Sequence, residues 1–398
     1  MRSTVARFLD IYTPPFFPFT SLQDVIAATG LAGAAALSGA DYLKANGVQG
    51  LFAKELVQAS TRVNYAQDLG YIHGVEAMVC MATDGAMSVK GGNWRIFDAM
   101  IRASGAALKL GTSVQRIERT QEGQYVVTSK DDRAGFSSTA QNSPLGYIPP
   151  PAHSDTFDAV IIAAPLYTSN MVITPRPQHV PSAPMYVNLH VTLFSTPHRV
   201  RPEYFNLSSD AQTPDMVLTT PTEGNVKENE GLNDLKFFSL SQVRTAINPV
   251  TGRRERVFKI FSKEKVTAAQ LQQLVMPESQ SADALGDGED EDEDVEGISW
   301  HHHKLWQSYP YLPPRTDFDP IKLDGDIENL DEDIPTTDAD AGRGIWYTSG
   351  MESFISSMET SSLSGMNVAR LIMDELVRGY EEEVGAPWWT ELGEYCGT

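Results

Sequence analysis

Three consecutive histidines, His301-His302-His303, are the densest group of metal-capable side chains in this 398-residue sequence. Neighbouring side chains on a strand point to opposite faces, so consecutive imidazoles do not converge on one ion. No cysteine or carboxylate stands beside them at zinc spacing, and the run reads as solvated or core-edge rather than as a metal site. Cys80 and Cys396 are the only cysteines and lie far apart, so neither has a redox or ligand partner. No G-x-S-x-G elbow offers a nucleophilic serine. The glycine fragments Gly286-Asp287-Gly288 and Gly342-Arg343-Gly344 do not complete G-x-G-x-x-G, and the first sits among acids that would repel phosphate.

The strongest remaining signal is the stretch from Gly344 to Ile372. Its apolar opening, Ile345–Thr348, ends at Ser349-Gly350 and reads as a buried strand. A short loop follows, and then Met358, Leu363, Met366, Val368, Ala369 and Leu371 fall near one face at helical spacing. Ser356 and Ser357 can cap that helix, with Glu359 and Thr360 in its first turn. Strand, glycine, loop and helix together aim a helix N-terminus at an anionic or electron-rich ligand. An ordinary βα unit has the same local pattern.

Other elements must carry that unit. Ser21 with Asp24 and Ser38 with Asp41 mark helix starts. Gly91-Gly92-Asn93 precedes an amphipathic helix carrying Trp94, Ile96, Phe97, Met100 and Ile101. Leu110–Glu118 and Gln124–Ser129 form a hairpin around Glu122-Gly123, and Phe157–Pro165 reads as one buried strand. From Met185 the pattern alternates with period two. Val187, Leu189, Val191 and Leu193 share one face, which predicts an antiparallel sheet with one side covered. Leu235–Leu240 and Arg256–Phe261 add strands, and Thr267 caps a helix reaching Val275. His190 falls on the less apolar face and reads as a satisfied sheet histidine.

Composition excludes several classes. The net charge of −21 is concentrated: 19 acidic and 3 basic residues lie between Asp283 and Asp340, against 33 and 28 elsewhere. Residues 281–298 contain the run DGEDEDEDVE and read as a disordered acidic surface insert. No basic stripe exists to neutralise phosphates, so nucleic acid is not an expected partner. With 41% hydrophobic residues, the sequence has no apolar run long enough to span a bilayer. The first residues lack the apolar core and cleavage site of a signal peptide, which points to a cytosolic fate for the chain as written.

Taken in order, several segments resemble the prenylcysteine oxidases, also called prenylcysteine lyases. The central one is RVNYAQDLGYIHGVEAMVCMATDGAMSVKGGNWRIFDAMIRASGAAL, Arg62 to Leu108. VARFLDIY, PFTSLQDV, GADYLKANGV and ELVQAS before it are similar, as are FDAVIIAAPL, WQSYPYLPP and the closing GIWYTSGMESFISSMETSSLSGMNVARL after it. The resemblance covers nearly the whole chain.

It implies an α/β fold: an FAD/NAD(P)-binding, amine-oxidase-like flavoprotein fold lacking its first βαβ unit, plus a substrate domain with a mostly antiparallel sheet and helices. On that plan residues 1–88 are the helical part of the substrate domain and 89–165 a returning part of the FAD-binding domain. Residues 166–280 carry the substrate-domain sheet, 281–298 the acidic insert, 299–343 the end of the substrate domain with an acidic linker, and 344–380 the last strand and helix of the FAD-binding domain. The implied reaction is FAD-dependent oxidative cleavage of S-farnesyl- or S-geranylgeranyl-cysteine, with molecular oxygen as acceptor, to cysteine, a prenyl aldehyde and hydrogen peroxide. It serves the breakdown of prenylated proteins in a lysosome or vacuole.

Carried over residue by residue, the resemblance assigns Gly350 and Glu352 to the ribityl chain of FAD, and Met358, Glu359 and Thr360 to the helix start beneath the flavin's pyrimidine edge. It assigns Val114 to the strand that meets adenine, Ala163, Ala164 and Pro165 to the crossing near the dinucleotide, and Gly91 and Gly92 to a turn facing the active site. Asn206-Leu207-Ser208 is a sequon, so Asn206 is the expected glycosylation site. No catalytic base is assigned and no metal is expected. In the family a signal peptide, a strand, a G-x-G-x-x-G turn and a helix come first, and this sequence starts downstream of their position. Without that glycine turn the polypeptide as written is expected to bind FAD poorly. Two other readings stay open: a non-catalytic fragment unable to retain flavin, and another amine-oxidase-like flavoprotein.

Overall fold

Ser21 and Ser38 accept the backbone amides of Asp24 and Asp41, each at 3.1 Å, and open helices where the serine-to-acid spacing predicts them. The computed structural model describes residues 2–82, 87–132, 152–221, 237–275, 295–324 and 342–384. Most of the acidic insert, the Gly286–Gly288 fragment and Cys396 lie outside those residues.

In chain order the helices are α1 Arg2–Asp10, α2 Leu22–Ala28, α3 Ala32–Ala35, α4 Gly39–Ala45, α5 Gln58–Tyr65, α6 Gly74–Val79, α7 Trp94–Ser104, α8 Ala268–Val275 and α9 Met358–Val384. The first strands are β1 Thr112–Arg119, β2 Tyr125–Asp131, β3 His153–Phe157, β4 Ala159–Ile162, β5 Val172–Thr174 and β6 Leu189–Thr196. They are followed by β7 Met216–Leu218, β8 Phe237–Ile247, β9 Arg254–Ser262, β10 Trp300–Trp306 and β11 Gly344–Tyr347.

The chain forms two compact units. One holds Gly33–Ala82 and Pro184–Thr316; the other holds Arg2–Ala32, Thr83–Ala183 and Asp317–Thr398. These limits differ from the expected 1–88, 89–165, 166–280 and 299–343. Residues 2–32 join the second unit because the Asn367 side chain holds the backbone of Phe19 on both sides. Residues 166–183 join it because β5 pairs in parallel with β1. Residues 317–324 join it because Leu323 and Ile321 exchange backbone hydrogen bonds with Ile345 and Tyr347.

The first unit is built on an antiparallel sheet of order β10-β6-β9-β8-β7. Alternation on β6 predicts one covered face, but both are covered. Leu189, Val191 and Phe261 pack on one side. Phe194, Phe258 and Ile260 pack on the other, beneath Leu271, Leu274 and Val275 of α8. Thr267 and Gln270 cap α8 reciprocally, as the sequence predicts. Thr192 is therefore buried and Leu193 only half-buried, the reverse of a one-sided pattern.

Helix α6 in the same unit starts packed against backbone. His73 Nδ1 accepts the Glu76 amide at 3.2 Å, and the Gly74 amide donates to Leu37 O at 2.9 Å. A Cβ on Gly74 would lie 2.8 Å from Ala34 O and from Tyr42 Cβ and Cγ. Gly74→Ala is expected to lose about 1–3 kcal/mol, since backbone must move to admit one methyl. A urea midpoint equal to wild type, with unchanged slope, would show that the space exists.

The second unit has a sheet of order β3-β2-β1-β5 and a parallel pair, β11-β4. The hairpin of β1 and β2 forms as predicted. The single strand expected over Phe157–Pro165 is instead two, broken at Asp158. β3 pairs antiparallel with β2, whereas β4 pairs in parallel with β11, so one segment serves two sheets. Ile117, Tyr125, Ile162, Leu323, Ile345 and Tyr347 fill the core shared by these sheets. Helix α7 has the predicted amphipathic sequence but buries none of its residues. Among described residues, no helix is long and apolar enough to cross a membrane.

Candidate functional site

Strands β4 and β11 run side by side in register, from Ala159 opposite Gly344 to Ile162 opposite Tyr347. Their carboxyl ends therefore open on the same edge, where open parallel sheets hold ligands. Ala163 and Ala164 leave β4 exposed, with Pro165 half-buried behind them. From β11, the Thr348 amide donates to Ile162 O at 3.1 Å, and the chain then makes a tight turn over Ser349–Ser353. The sequence assignments Ala163, Ala164, Pro165, Gly350 and Glu352 thus meet at one edge.

Gly350 packs closely against a neighbouring segment of the chain. A Cβ on it would lie 3.1 Å from Asp319 Cβ, so the residue admits the 319–320 segment. Glu352 is half-buried. The nearby Tyr347 phenol is pushed up to about 12, first by burial and then by the carboxylates of Asp319 and Glu352. This carboxyl end is therefore electronegative on one flank. The other flank is a helix start.

Ser357 caps α9. Its Oγ accepts the Thr360 amide, and Thr360 Oγ1 accepts the Ser357 amide, both at 3.1 Å. Thr360 Oγ1 also donates to Ile355 O at 2.7 Å and is fully buried, so its side chain is committed to the cap. Among described residues, the cap leaves the amides of Met358 and Glu359 as open donors of a 27-residue helix. Both side chains are exposed. The Glu359 carboxylate lies near the Tyr12 phenol, which is pushed up mainly by burial and further by that charge.

The buried face of α9 departs from the one the sequence predicts. Met358, Met366 and Ala369 are exposed, whereas Thr360, Ser364 and Asn367 are buried with Leu363, Val368 and Leu371. The spacing is strictly helical, but three of its positions are polar. Ser364 Oγ donates to Thr348 O at 2.9 Å and pins the strand-end turn to the helix. A search for apolar residues alone passes over such positions; polar residues three and four apart inside an apolar stripe are the signal that finds them.

Val114 packs half-buried beside the core under β4 and β11, next to a β-bulge between Val114 and Arg116. Gly91 and Gly92 have φ of +89° and +112° and form the turn before α7. No described contact joins them to the β4–β11 edge. Asn206, in the first unit, is exposed at the end of the turn Pro202–Phe205.

Among described residues, the remaining chemistry-bearing side chains named above do not gather into a further site. His301, His302 and His303 alternate along β10, and among described residues no group of three metal-capable side chains converges. His303 Nε2 instead lies 2.8 Å from His190 Nδ1 across the sheet. Cys80 is buried, and burial first, then the Glu76 charge, pushes its thiol well above the usual range, which makes it inert. Glu76 also lies against the buried Tyr65 phenol, a polar cluster the sequence reading missed.

Residues 1–383 match the family model described as Prenylcysteine lyase. The chain is 22% identical over 385 residues to farnesylcysteine lyase of Arabidopsis thaliana, covering 95% of this chain and 61% of that protein. To prenylcysteine oxidase 1 of Rattus norvegicus it is 25% identical over 349 residues, covering 83% and 55%. To prenylcysteine oxidase 1 of Homo sapiens it is 23% identical over 392 residues, covering 93% and 64%. The chain thus spans less than two thirds of the length of these relatives. Among solved structures it is similar to a putrescine oxidase redesigned in its cofactor binding, with a TM-score of 0.43 and 12% identity over 87% of this chain and 69% of that one.

Proposed function

The chain belongs to the prenylcysteine lyase family, and on that premise we propose that it acts in FAD-dependent oxidative cleavage of the thioether of S-prenyl-L-cysteine, with a farnesyl or geranylgeranyl group on sulfur. The balance is thioether, water and oxygen to cysteine, prenyl aldehyde and hydrogen peroxide. The carbon attached to sulfur is oxidised, the carbon–sulfur bond breaks, and two electrons end on oxygen. FAD, when bound, supplies the two-electron acceptor.

The observation that carries this reading is the shared carboxyl edge of β4 and β11 facing a capped helix with open amides. The donor set fits the cofactor. Glu352 would accept hydrogen bonds from the ribityl hydroxyls of bound FAD. The amides of Met358 and Glu359, with the helix dipole, would favour negative charge at the pyrimidine edge of a reduced flavin. The small side chains of Ala163 and Ala164 would leave room for the dinucleotide, and the Val114 backbone, beside its bulge, would meet adenine. The turn of Gly91 and Gly92 before α7 is assigned to the active-site side by the family resemblance alone.

The experiment is a titration of the purified chain with FAD, followed by assay with S-farnesyl-L-cysteine for farnesal and peroxide. Weak retention of FAD is expected, with equal amounts of both products formed by the flavin that does bind. Flavin bound without aldehyde would overturn the substrate, and no flavin binding would remove the reaction from this chain. We also propose a lysosomal or vacuolar location for the gene product, with a glycan on Asn206. An electrophoretic shift on N-glycosidase treatment, lost in Asn206→Gln, is the expected result.

A further inference from the structure

At one end of the first unit's sheet lies a cavity of about 450 Å³ that contributes nothing to the reading above. Its walls carry three arginines, Arg199, Arg254 and Arg256. Strand alternation explains two of them. Arg254 and Arg256 share the face of β9 that carries Phe258 and Ile260, so the α8-covered core ends in guanidinium groups rather than apolar side chains. Arg256 sits between Thr196 of β6 and Thr245 of β8, in the body of the sheet. Arg199 precedes Val200, which is buried in the same core and fixes it at the rim.

These arginines have few partners. Arg254 donates to Thr245 Oγ1 at 3.2 Å, which orients its fork. Among described residues, the Arg199 and Arg256 guanidiniums meet no hydrogen-bond acceptor and no carboxylate. Glu255, which also lines the cavity, makes no ion pair with them among the described residues, and its charge offsets only part of theirs. Although burial opposes its ionisation, donors from Ser195, Ser299 and Asn248 at 2.7–2.8 Å hold its carboxyl below the usual range and use its oxygens. Asp215 is the other acid on the wall, so three cations face two anions.

We propose that this cavity binds a small, multiply charged oxyanion, recognised through phosphate or carboxylate groups by the arginine forks. Planar guanidinium donors match such groups in pairs, which a point charge does not. Gln212, Thr213 and Gln242 supply further polar groups on the wall. In a chain of net charge −21, general attraction for anions is weak, so retention depends on these three side chains.

Pyrophosphate and citrate are the probes, each titrated by calorimetry and thermal shift at fixed ionic strength, with sodium chloride as control. Saturable binding of one or both is expected, with a melting shift of a few degrees that chloride does not reproduce. Preference between them distinguishes phosphate from carboxylate ligands. Arg254→Ala with Arg256→Ala should weaken binding at least tenfold, and Arg256→Lys should lose much of it despite retaining charge. If the double variant does not fold, Arg199→Glu at the exposed rim tests the same site. Arg102→Ala on α7 is the control and should bind as wild type. No saturable binding of either probe, or binding unchanged in the arginine variants, overturns the proposal.

Discussion

Asn367→Ala is expected to lower stability of the second unit by about 2–5 kcal/mol, the largest loss from any single side chain described above. Asn367 is 1% exposed on α9. Its Oδ1 accepts the Phe19 amide and its Nδ2 donates to the Phe19 carbonyl, each at 2.8 Å. One side chain thus serves both backbone groups of a residue 348 positions away. Truncation would leave a buried donor and a buried acceptor unpaired, each costing about 1–3 kcal/mol. A melting curve shifted by less than about 2 °C would mean that water reaches Phe19 in the variant.

Asn367→Asp separates the two bonds by pH. A carboxylate still accepts the Phe19 amide but faces the carbonyl with a second oxygen. Only the protonated acid can donate to it. The folded state therefore favours the proton and raises this carboxyl above its unfolded value of about 3.9. Stability recovered by protonation is present at low pH and lost as pH rises through the folded value. The gap between this variant and wild type should narrow as pH falls from 7 toward 5. A gap constant with pH would mean that the carbonyl finds another donor.

The same residue shows where sequence reading succeeds and where it stops. Caps announce themselves: Ser21, Ser38, Thr267 and Ser357 all accept the amides that their spacing predicts. Local spacing fixes such contacts, because donor and acceptor lie three residues apart. The strand–turn–helix from Gly344 is legible for the same reason. Asn367 pairs with a residue at the other end of the chain, and nothing in either local pattern records it. Asp158 is similar, since a two-sheet handover depends on which strands lie nearby rather than on the segment itself. The two-sided burial of β6 depends on α8 folding back over it, which alternation on β6 cannot report. Gly350 is a mixed case: the residue is identifiable, but the structure gives it a packing reason from Asp319 beside the assigned cofactor role.

Met358→Pro is expected to spare the fold and damage the flavin site, a separation few substitutions offer. Met358 is the first residue of α9, directly after its cap. Proline is well tolerated there, because its fixed φ suits the helix and its missing N–H has no partner within it. The Met358 side chain is 53% exposed, so little packing is lost. The variant should melt within about 0.5 kcal/mol of wild type. What it removes is one of the two open amides proposed to face the flavin. In flavin-loaded protein, that loss should slow anaerobic reduction by S-farnesyl-L-cysteine by about 10- to 100-fold. The effect on flavin retention should be smaller, because the amide acts on charge that develops as the flavin is reduced. Glu352→Ala is the complement. Removing the proposed ribityl acceptor should weaken retention in the oxidised state and leave the reduction rate of bound flavin nearly intact. Stopped-flow bleaching of the flavin band reads the rate, and ultrafiltration reads retention. An unchanged reduction rate in Met358→Pro, with the helix intact by circular dichroism, would put the start of α9 away from the flavin and withdraw the assignments of Met358 and Glu359 together.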